Sequence, residues 1–297
     1  MRIAITGAAG FVGLAVARYV TDHHPEIQLV LADRAFDVQQ RFETLAGELT
    51  DPAMIGELCR DGIDAVLHLA ALPGGAAERD PRASRAIGLD VPLALIEAMH
   101  GRRLVIAGSI GVFGGQLPAQ VDDETMPAPA SVYGTHKRMV ELAFADAMRR
   151  GAIGGMVVRL PGIVARPATA GGFGSAFLSD VFHAARAGTP YRVPVAPDAT
   201  SWLMSVRTCA ANLVAAALGE ARVRDAVTFP ALRVRIGDLV DELGRHGDTS
   251  GLTFVEDKAI RAMFGSYPPL ATPRADALGF RHDGSLEQLV EAVFAEL

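Results

Sequence analysis

Tyr133 and Lys137 stand four residues apart in the stretch SVYGTHK, residues 131–137. The pair matters because the chain almost avoids lysine. Lys137 and Lys258 are its two lysines, and arginine fills the other basic positions. With four tyrosines in 297 residues, random placement gives a Tyr-x-x-x-Lys pair in roughly 3 cases of 100. Residues four apart on a helix share a face. A free phenol has a pKa of about 10, too high for a base at neutral pH, and a neighbouring ammonium favours the phenolate. Such a pair can take the proton of an alcohol. Lysine suits the task because its compact ammonium reaches the tyrosine's surroundings and a second group at once. Ser109, in LVIAGSIGVFGG, lies 24 residues before Tyr133. Its hydroxyl follows an apolar strand and can hydrogen-bond the same substrate oxygen, although a serine there also suits a turn or a helix cap.

The elements that must hold these groups begin at the N-terminus. The strand IAIT runs straight into GAAGFVG, with glycines at 7, 10 and 13. Gly7 permits the sharp turn from strand to helix, Gly10 lets a pyrophosphate approach the backbone, and Gly13 lets the helix pack close to the sheet. Phe11 and Val12 open that helix. Asp33 ends the second strand, LVLAD, 20 residues past Gly13. A carboxylate there accepts hydrogen bonds from a ribose and repels a 2′-phosphate, which favours NAD over NADP, with Arg34 beside it able to soften the preference. Glu48 or Leu49 could meet the adenine. The stretch HLAA, His68 to Ala71, ends the fourth strand with small residues and leaves room for the cofactor at Leu69, Ala70 and Ala71. His68 itself is expected to be a satisfied, half-buried histidine. An oxidised nicotinamide beside Tyr133 would further favour its phenolate.

Apolar runs at Arg2–Thr6, Leu29–Asp33, Ala65–Leu69, Leu104–Ala107 and Gly155–Leu160 are predicted as buried strands. Helical patterns occupy Phe11–Tyr19, Pro52–Arg60, Pro92–Met99 and Gly134–Arg149. This alternation implies an α/β fold, a doubly wound parallel sheet with helices on both faces and right-handed crossovers. After Leu160 the pattern changes to a Gly-, Pro- and Ala-rich stretch with a helix around Phe177–Ala187. A strong apolar helix follows SWLMSVR, a further strand is expected at Ala226–Phe229, and amphipathic helices at Ile236–Leu243 and Leu286–Leu297. The expected division is a nucleotide-binding domain over 1–165 and 201–229, and a smaller substrate-binding lobe over 166–200 and 230–297.

Composition narrows the function. Half the residues are hydrophobic and the formal net charge is −6, which argues against a nucleic-acid surface. Two cysteines, Cys59 and Cys209, make neither a disulfide framework nor a zinc ribbon. The histidines show no ligand spacing, so no metal is expected, and Asp122-Asp123-Glu124 reads as a solvated acidic loop. No apolar run reaches the roughly 20 residues of a membrane span, and Met1-Arg2 leads directly into a strand without a signal peptide. The expectation is a cytoplasmic protein acting on a small molecule.

GAAGFVG, Asp33, HLAA, Ser109 with GVFGG, and YGTHK occur in the order and spacing of the extended short-chain dehydrogenase/reductase superfamily, which the whole chain resembles. The resemblance implies a Rossmann domain with a C-terminal substrate-binding lobe, NAD as cofactor, and a Ser109, Tyr133 and Lys137 catalytic set. It also implies a homodimer through two helices, here Pro92–Met99 and Gly134–Arg149. Cofactor contacts are then expected at Gly7, Gly10, Phe11, Val12, Gly13, Asp33, Glu48, Leu49, Leu69, Ala70, Ala71, Tyr133, Lys137, Pro161 and Ile163. The segments VVRLPGIVARP, PVAPDATSWLMSVR and FPALRVRIGDLVDEL are most similar to a branch that oxidises a four-carbon sugar acid at C2. Substrate contacts are expected at Ser109, Tyr133, Arg166, Ser175, Trp202 and Arg207, with Arg166 and Arg207 as guanidiniums for a carboxylate. The sequence departs from the family pattern twice. Gly88 stands where an asparagine is usual, and Ala199-Thr200-Ser201 stands where an arginine is expected before Trp202. The alternatives are a nucleotide-sugar epimerase or dehydratase on the same scaffold, or a non-catalytic NAD-binding protein. Against a nucleotide sugar, Arg159 is followed by Leu160-Pro161-Gly162, with glycine rather than asparagine three residues on.

Overall fold

The computed structural model describes residues 1–36, 41–167 and 174–297. The chain opens with β1 (Arg2–Thr6), α1 (Phe11–His23), β2 (Gln28–Asp33), β3 (Glu43–Ala46), α2 (Pro52–Leu58) and β4 (Ala65–His68). Two short helices, α3 (Gly74–Arg79) and α4 (Pro81–Arg85), then lead through a π-turn at Ala86–Asp90 into α5 (Val91–Ala98). Next come β5 (Arg103–Ser109), α6 (Val132–Arg149) and β6 (Gly154–Leu160). The rest is β7 (Gly162–Ile163), α7 (Phe177–Ala187), β8 (Tyr191–Val193), β9 (Thr200–Met204), α8 (Val206–Leu218), β10 (Val227–Thr228), β11 (Leu232–Arg235) and α9 (Ile236–Leu243). It closes with β12 (Leu252–Phe254), α10 (Lys258–Phe264), α11 (Pro273–Ala277) and α12 (Leu286–Glu296).

Two compact units result. The first comprises 1–112, 129–160 and 210–228, and the second 113–128, 161–209 and 229–297. The second unit thus takes residues 113–128, 161–165, 201–209 and 229, all assigned by sequence to the nucleotide-binding part. The first unit is built on a seven-stranded parallel sheet in the order β10-β6-β5-β4-β1-β2-β3. The order reverses direction at β1, which leaves a crevice beyond the carboxyl ends of β1 and β4 where α/β folds bind ligands. The middles of the central strands are apolar, as burial on both faces demands: Ala4, Ile5, Val30, Val66, Val105 and Ile106 have no solvent exposure. Asp51 accepts from Ala53 N–H to cap α2, with Pro52 at its first position. Ser131 accepts from Gly134 N–H to cap α6.

The second unit holds a three-stranded sheet, β11-β9-β7, a pair β12-β8, and the helices α7, α9 and α12 around a core of its own. The sequence reading found α7, α9 and α12 but neither the sheets nor α10 and α11, and it took SWLM as the approach to a helix where the structure has β9. Strands of two to five residues give too little alternation to register as strands. Both cysteines are buried. Burial pushes the Cys59 thiol up to about 11 and raises Cys209 as well, so both act as small apolar side chains. Among the described residues no helix is long and apolar enough to cross a membrane.

Candidate active site

The glycine loop behaves as its spacing requires. Gly7 has φ +70°, and a Cβ there would press on Ala70 N at 2.8 Å. A Cβ on Gly13 would lie 2.3 Å from Gly7 O and 2.6 Å from Ala8 Cα, so only a bare backbone lets α1 pack on the loop. Gly10 differs. It is exposed, and the one atom near a Cβ there is Gly7 O at 3.1 Å. It is also the N-cap residue of α1 and provides no side-chain cap, so the first N–H groups of the helix face an open cradle. An anion such as a pyrophosphate satisfies that cradle. Alanine should therefore act differently at the two positions. Gly10→Ala is expected to keep the fold and lose about tenfold or more in NAD affinity by calorimetry. Gly13→Ala is expected to lose about 1–3 kcal/mol of stability in urea titration, because α1 has to shift.

Asp33 ends β2 with its carboxylate already engaged on one side. Oδ2 accepts from Ala9 N–H at 2.9 Å and Oδ1 from Arg34 N–H at 2.8 Å. A carboxylate accepts about four hydrogen bonds, so Asp33 braces the loop and keeps capacity for a ribose diol. Asp33→Asn should keep one of the two bracing hydrogen bonds, through its single carbonyl oxygen, and remove the charge. The expected result is a fall of about tenfold or more in the preference for NAD over NADP, read from Kd values. Leu49 is 7 % exposed and belongs to the core of the unit, so its side chain is not free to meet an adenine; the neighbouring Glu48 is exposed. Leu49 shares its buried cluster with Met54, Ile55 and Leu58 of α2.

Leu69 and Ala70 are half-buried after β4, and Ala71 is exposed. His68 is more enclosed than the sequence suggested, at 1 % exposure. Its Nδ1 lies 2.7 Å from Thr6 Oγ1. That hydroxyl also accepts from Leu69 N–H and Ala70 N–H, which leaves its proton to donate to Nδ1 and places the ring proton on Nε2. Nε2 is buried without a hydrogen-bond partner. Burial, and then the charge of Lys137, hold the His68 pKa down at about 3, so the ring is neutral at physiological pH.

The residues that the sequence assigns to catalysis meet at the end of β5. Ser109 is its last residue, and its Oγ accepts from Gly111 N–H at 3.0 Å, which leaves the hydroxyl proton free to be donated. A Cβ on Gly111 would lie 3.3 Å from Ser109 Oγ and 3.7 Å from the Tyr133 ring, so serine and tyrosine flank one point. The helix α6 is seated there by close backbone approach: a Cβ on Gly134 would stand 2.4 Å from Gly111 O. Glu78 on α3 holds the same helix start by accepting from Val132 N–H at 2.6 Å. One turn further, Lys137 is 4 % exposed. Its Nζ donates to Ala107 O at 2.7 Å and lies 5.7 Å from the centre of the Tyr133 ring. Burial brings the Lys137 ammonium down to about 8. The lysine is therefore an electrostatic neighbour of the tyrosine, tied to the sheet through a main-chain carbonyl.

An unforeseen group supports α6 from below. Glu141 accepts from Arg159 Nε at 2.7 Å and Nη2 at 2.9 Å, and from Arg138 Nη1 at 2.8 Å. Glu141 and Arg159 are both buried, and they tie α6 to β6. The heptad-like polarity of α6 hid this, because a glutamate in a helix reads as surface. The fixed position of Arg159 on an interior strand was the available signal.

The remaining expected contacts belong to the second unit. Pro161 and Ile163 are buried there, Ile163 within β7. Arg166 and Arg207 are exposed, and Ser175 is half-buried in a 3-10 turn. Trp202 corrects the reading. It has no solvent exposure, its indole Nε1 donates to Pro268 O at 2.7 Å, and it packs against Tyr267 and Phe113. A large ring on the central strand of a small sheet fills the core, leaving no face for a substrate.

Residues 3–213 match the NAD dependent epimerase/dehydratase family. The chain belongs to that family. It is an NAD-dependent dehydrogenase/epimerase of the extended short-chain dehydrogenase/reductase type. A D-erythronate dehydrogenase of Cupriavidus necator is 33% identical over 98% of this chain and 97% of its own. Another D-erythronate dehydrogenase, from Haemophilus influenzae, is 28% identical, with 98% of each chain covered. A nucleoside-diphosphate-sugar epimerase of Agrobacterium tumefaciens superposes with a TM-score of 0.89 at 28% identity, over 100% of this chain and 94% of that one.

Proposed function

We propose that this family member oxidises a secondary alcohol on a small polyhydroxy acid, D-erythronate or a near relative, with NAD as the oxidant. The observation that carries the reading is the convergence of Ser109, Tyr133 and Lys137 around the turn at Gly111. The glycine cradle and Asp33 fit NAD, which when bound supplies the hydride acceptor. Ser109 donates its hydroxyl proton toward the substrate oxygen and fixes its position. Tyr133, as phenolate, takes the alcohol proton. Lys137 places a positive charge near the phenolate and costs no side-chain search, because Ala107 O already holds its Nζ. Two D-erythronate dehydrogenases among the relatives support the substrate class. Arg166 and Arg207 are the guanidiniums assigned to a substrate carboxylate, the first unit is assigned to the cofactor, and the second to the substrate.

The similarity to a sugar-nucleotide epimerase favours a second reading, in which the alcohol belongs to a nucleotide sugar. Arg159 would be the nearby anchor on β6, but its Nε and Nη2 are committed to Glu141, which weakens that reading. One assay separates them. NADH accumulating with D-erythronate or a related aldonate supports the dehydrogenase. Isomerisation of a sugar nucleotide without NADH release overturns it. The same reading takes the protein as a homodimer through α5 and α6, where Met139 and Leu142 are exposed, and light scattering tests this.

A further inference from the structure

Ala165 is the one residue other than glycine with a positive φ among the described residues, at +58°. In the left-handed region the Cβ of an ordinary residue crowds the following carbonyl oxygen, and such strain persists only where the surroundings impose it. Here both sides of the turn impose it. Before it, Val164 N–H donates to Met204 O at 3.1 Å and continues the pairing of β7 with β9. After it, His183 Nε2 on α7 lies 2.7 Å from Arg166 O. A carbonyl oxygen only accepts, so Nε2 carries the hydrogen and donates it. The Ala165 methyl is buried, at 5 % exposure, in the core that holds Val164 and the α7 residues Leu178, Val181 and Phe182. Glycine would adopt the same angle without strain, but it would leave the methyl's space empty and the turn looser.

The consequence falls on Arg166. The chain runs buried through Val164 and Ala165 and emerges at Arg166, which is exposed. His183 occupies its carbonyl, and among the described residues no hydrogen bond or ion pair engages its guanidinium. The helix that supplies His183 begins at Phe177, directly after the 3-10 turn that carries Ser175. One helix therefore bears on two of the expected substrate contacts, following one in the chain and fastening the other by a hydrogen bond. A guanidinium meets a carboxylate through two parallel N–H groups, and a long side chain reaches that geometry at lower entropic cost when its backbone is held.

We propose that His183 is a positioning residue for the substrate: it holds the Arg166 carbonyl beyond the left-handed turn at Ala165, and so fixes the backbone from which the guanidinium receives a substrate carboxylate. The proposal rests on the reading of Arg166 as the carboxylate contact of an aldonate dehydrogenase. His183 touches neither substrate nor cofactor in this role and moves no proton. It acts on binding, through Arg166, and leaves the chemistry at Tyr133 alone.

Steady-state kinetics with D-erythronate or the best related aldonate tests it. Arg166→Ala is expected to raise the aldonate KM by about thirtyfold or more, the loss of charge-assisted hydrogen bonds. His183→Ala should raise it about fivefold, with kcat and the KM for NAD within about twofold of wild type, since only the cost of ordering one side chain changes. His183→Gln places an amide N–H within reach of the same carbonyl and should restore the wild-type KM. A merely structural role would lower the yield of active enzyme and leave the KM where it was. In an Arg166→Ala background, His183→Ala should have no further effect on the KM. An active wild type whose His183→Ala variant keeps its aldonate KM overturns the positioning role alone. So does a glutamine variant as weak as the alanine one, or a His183→Ala effect that persists in full without Arg166. An unchanged KM in Arg166→Ala removes the carboxylate assignment and the role built on it. A wild type that forms no NADH from any aldonate overturns the dehydrogenase reading itself.

Discussion

Tyr133→Phe is expected to cut kcat by about a thousandfold, within the range for loss of a positioned acid–base group, and to leave NAD binding within about threefold of wild type. The ring stays, so the contacts of the α6 start survive: the Ser131 cap, the Glu78 hydrogen bond to Val132, and the bare approach of Gly134 to Gly111 O. What goes is the hydroxyl proposed to take the alcohol proton. Ser109 cannot replace it, because a serine hydroxyl has no comparable acidity and its oxygen already accepts from Gly111 N–H. Stopped-flow absorbance of NADH and cofactor calorimetry on the same preparation check both halves. A variant with wild-type turnover would sink the assignment of Tyr133 as base.

The second large effect concerns stability. Glu141→Gln keeps the volume but removes the charge that balances Arg159. Both side chains are almost wholly buried, at 1 % and 6 % exposure. Breaking such a pair typically costs about 3–5 kcal/mol, because one charge is left in a poorly polarisable interior. The expected loss in urea unfolding is of that order. Replacing both residues, as Glu141→Met with Arg159→Met, should recover most of it, since a buried pair and a well-packed apolar pair are often equivalent. A single variant within 1 kcal/mol of wild type would contradict the account.

Much of the first unit was legible because its signals are local. Gly7, Gly10 and Gly13 follow one strand and open one helix, Asp33 closes the next strand, and Tyr133 and Lys137 share one helical face. The apolar runs of β1, β2, β4, β5 and β6 are long enough to be read as strands on their own. Other features depend on partners distant in sequence. Nothing near Glu141 announces Arg159, 18 residues on, and nothing near Arg166 announces His183, 17 residues on. The π-turn before α5 has no sequence signature beyond Gly88. Leu49 and Trp202 were read as ligand contacts from their neighbourhood along the chain, and both turned inward because apolar side chains of that size gain more from the core. The strands β7, β8, β11 and β12 have two to four residues each, and they exist only because a neighbour supplies their hydrogen bonds.

The seat of α6 on Gly111 has a consequence for how this enzyme can change. The start of the helix that carries the tyrosine rests on Gly111 by main-chain contact, beside the side-chain holds of Ser131 and Glu78. Side chains beyond these holds and the Glu141–Arg159 tie can drift while the seat of Tyr133 stays in place. The same arrangement makes the two glycines a fixed point in any redesign: a new specificity can be sought anywhere except where the helix rests.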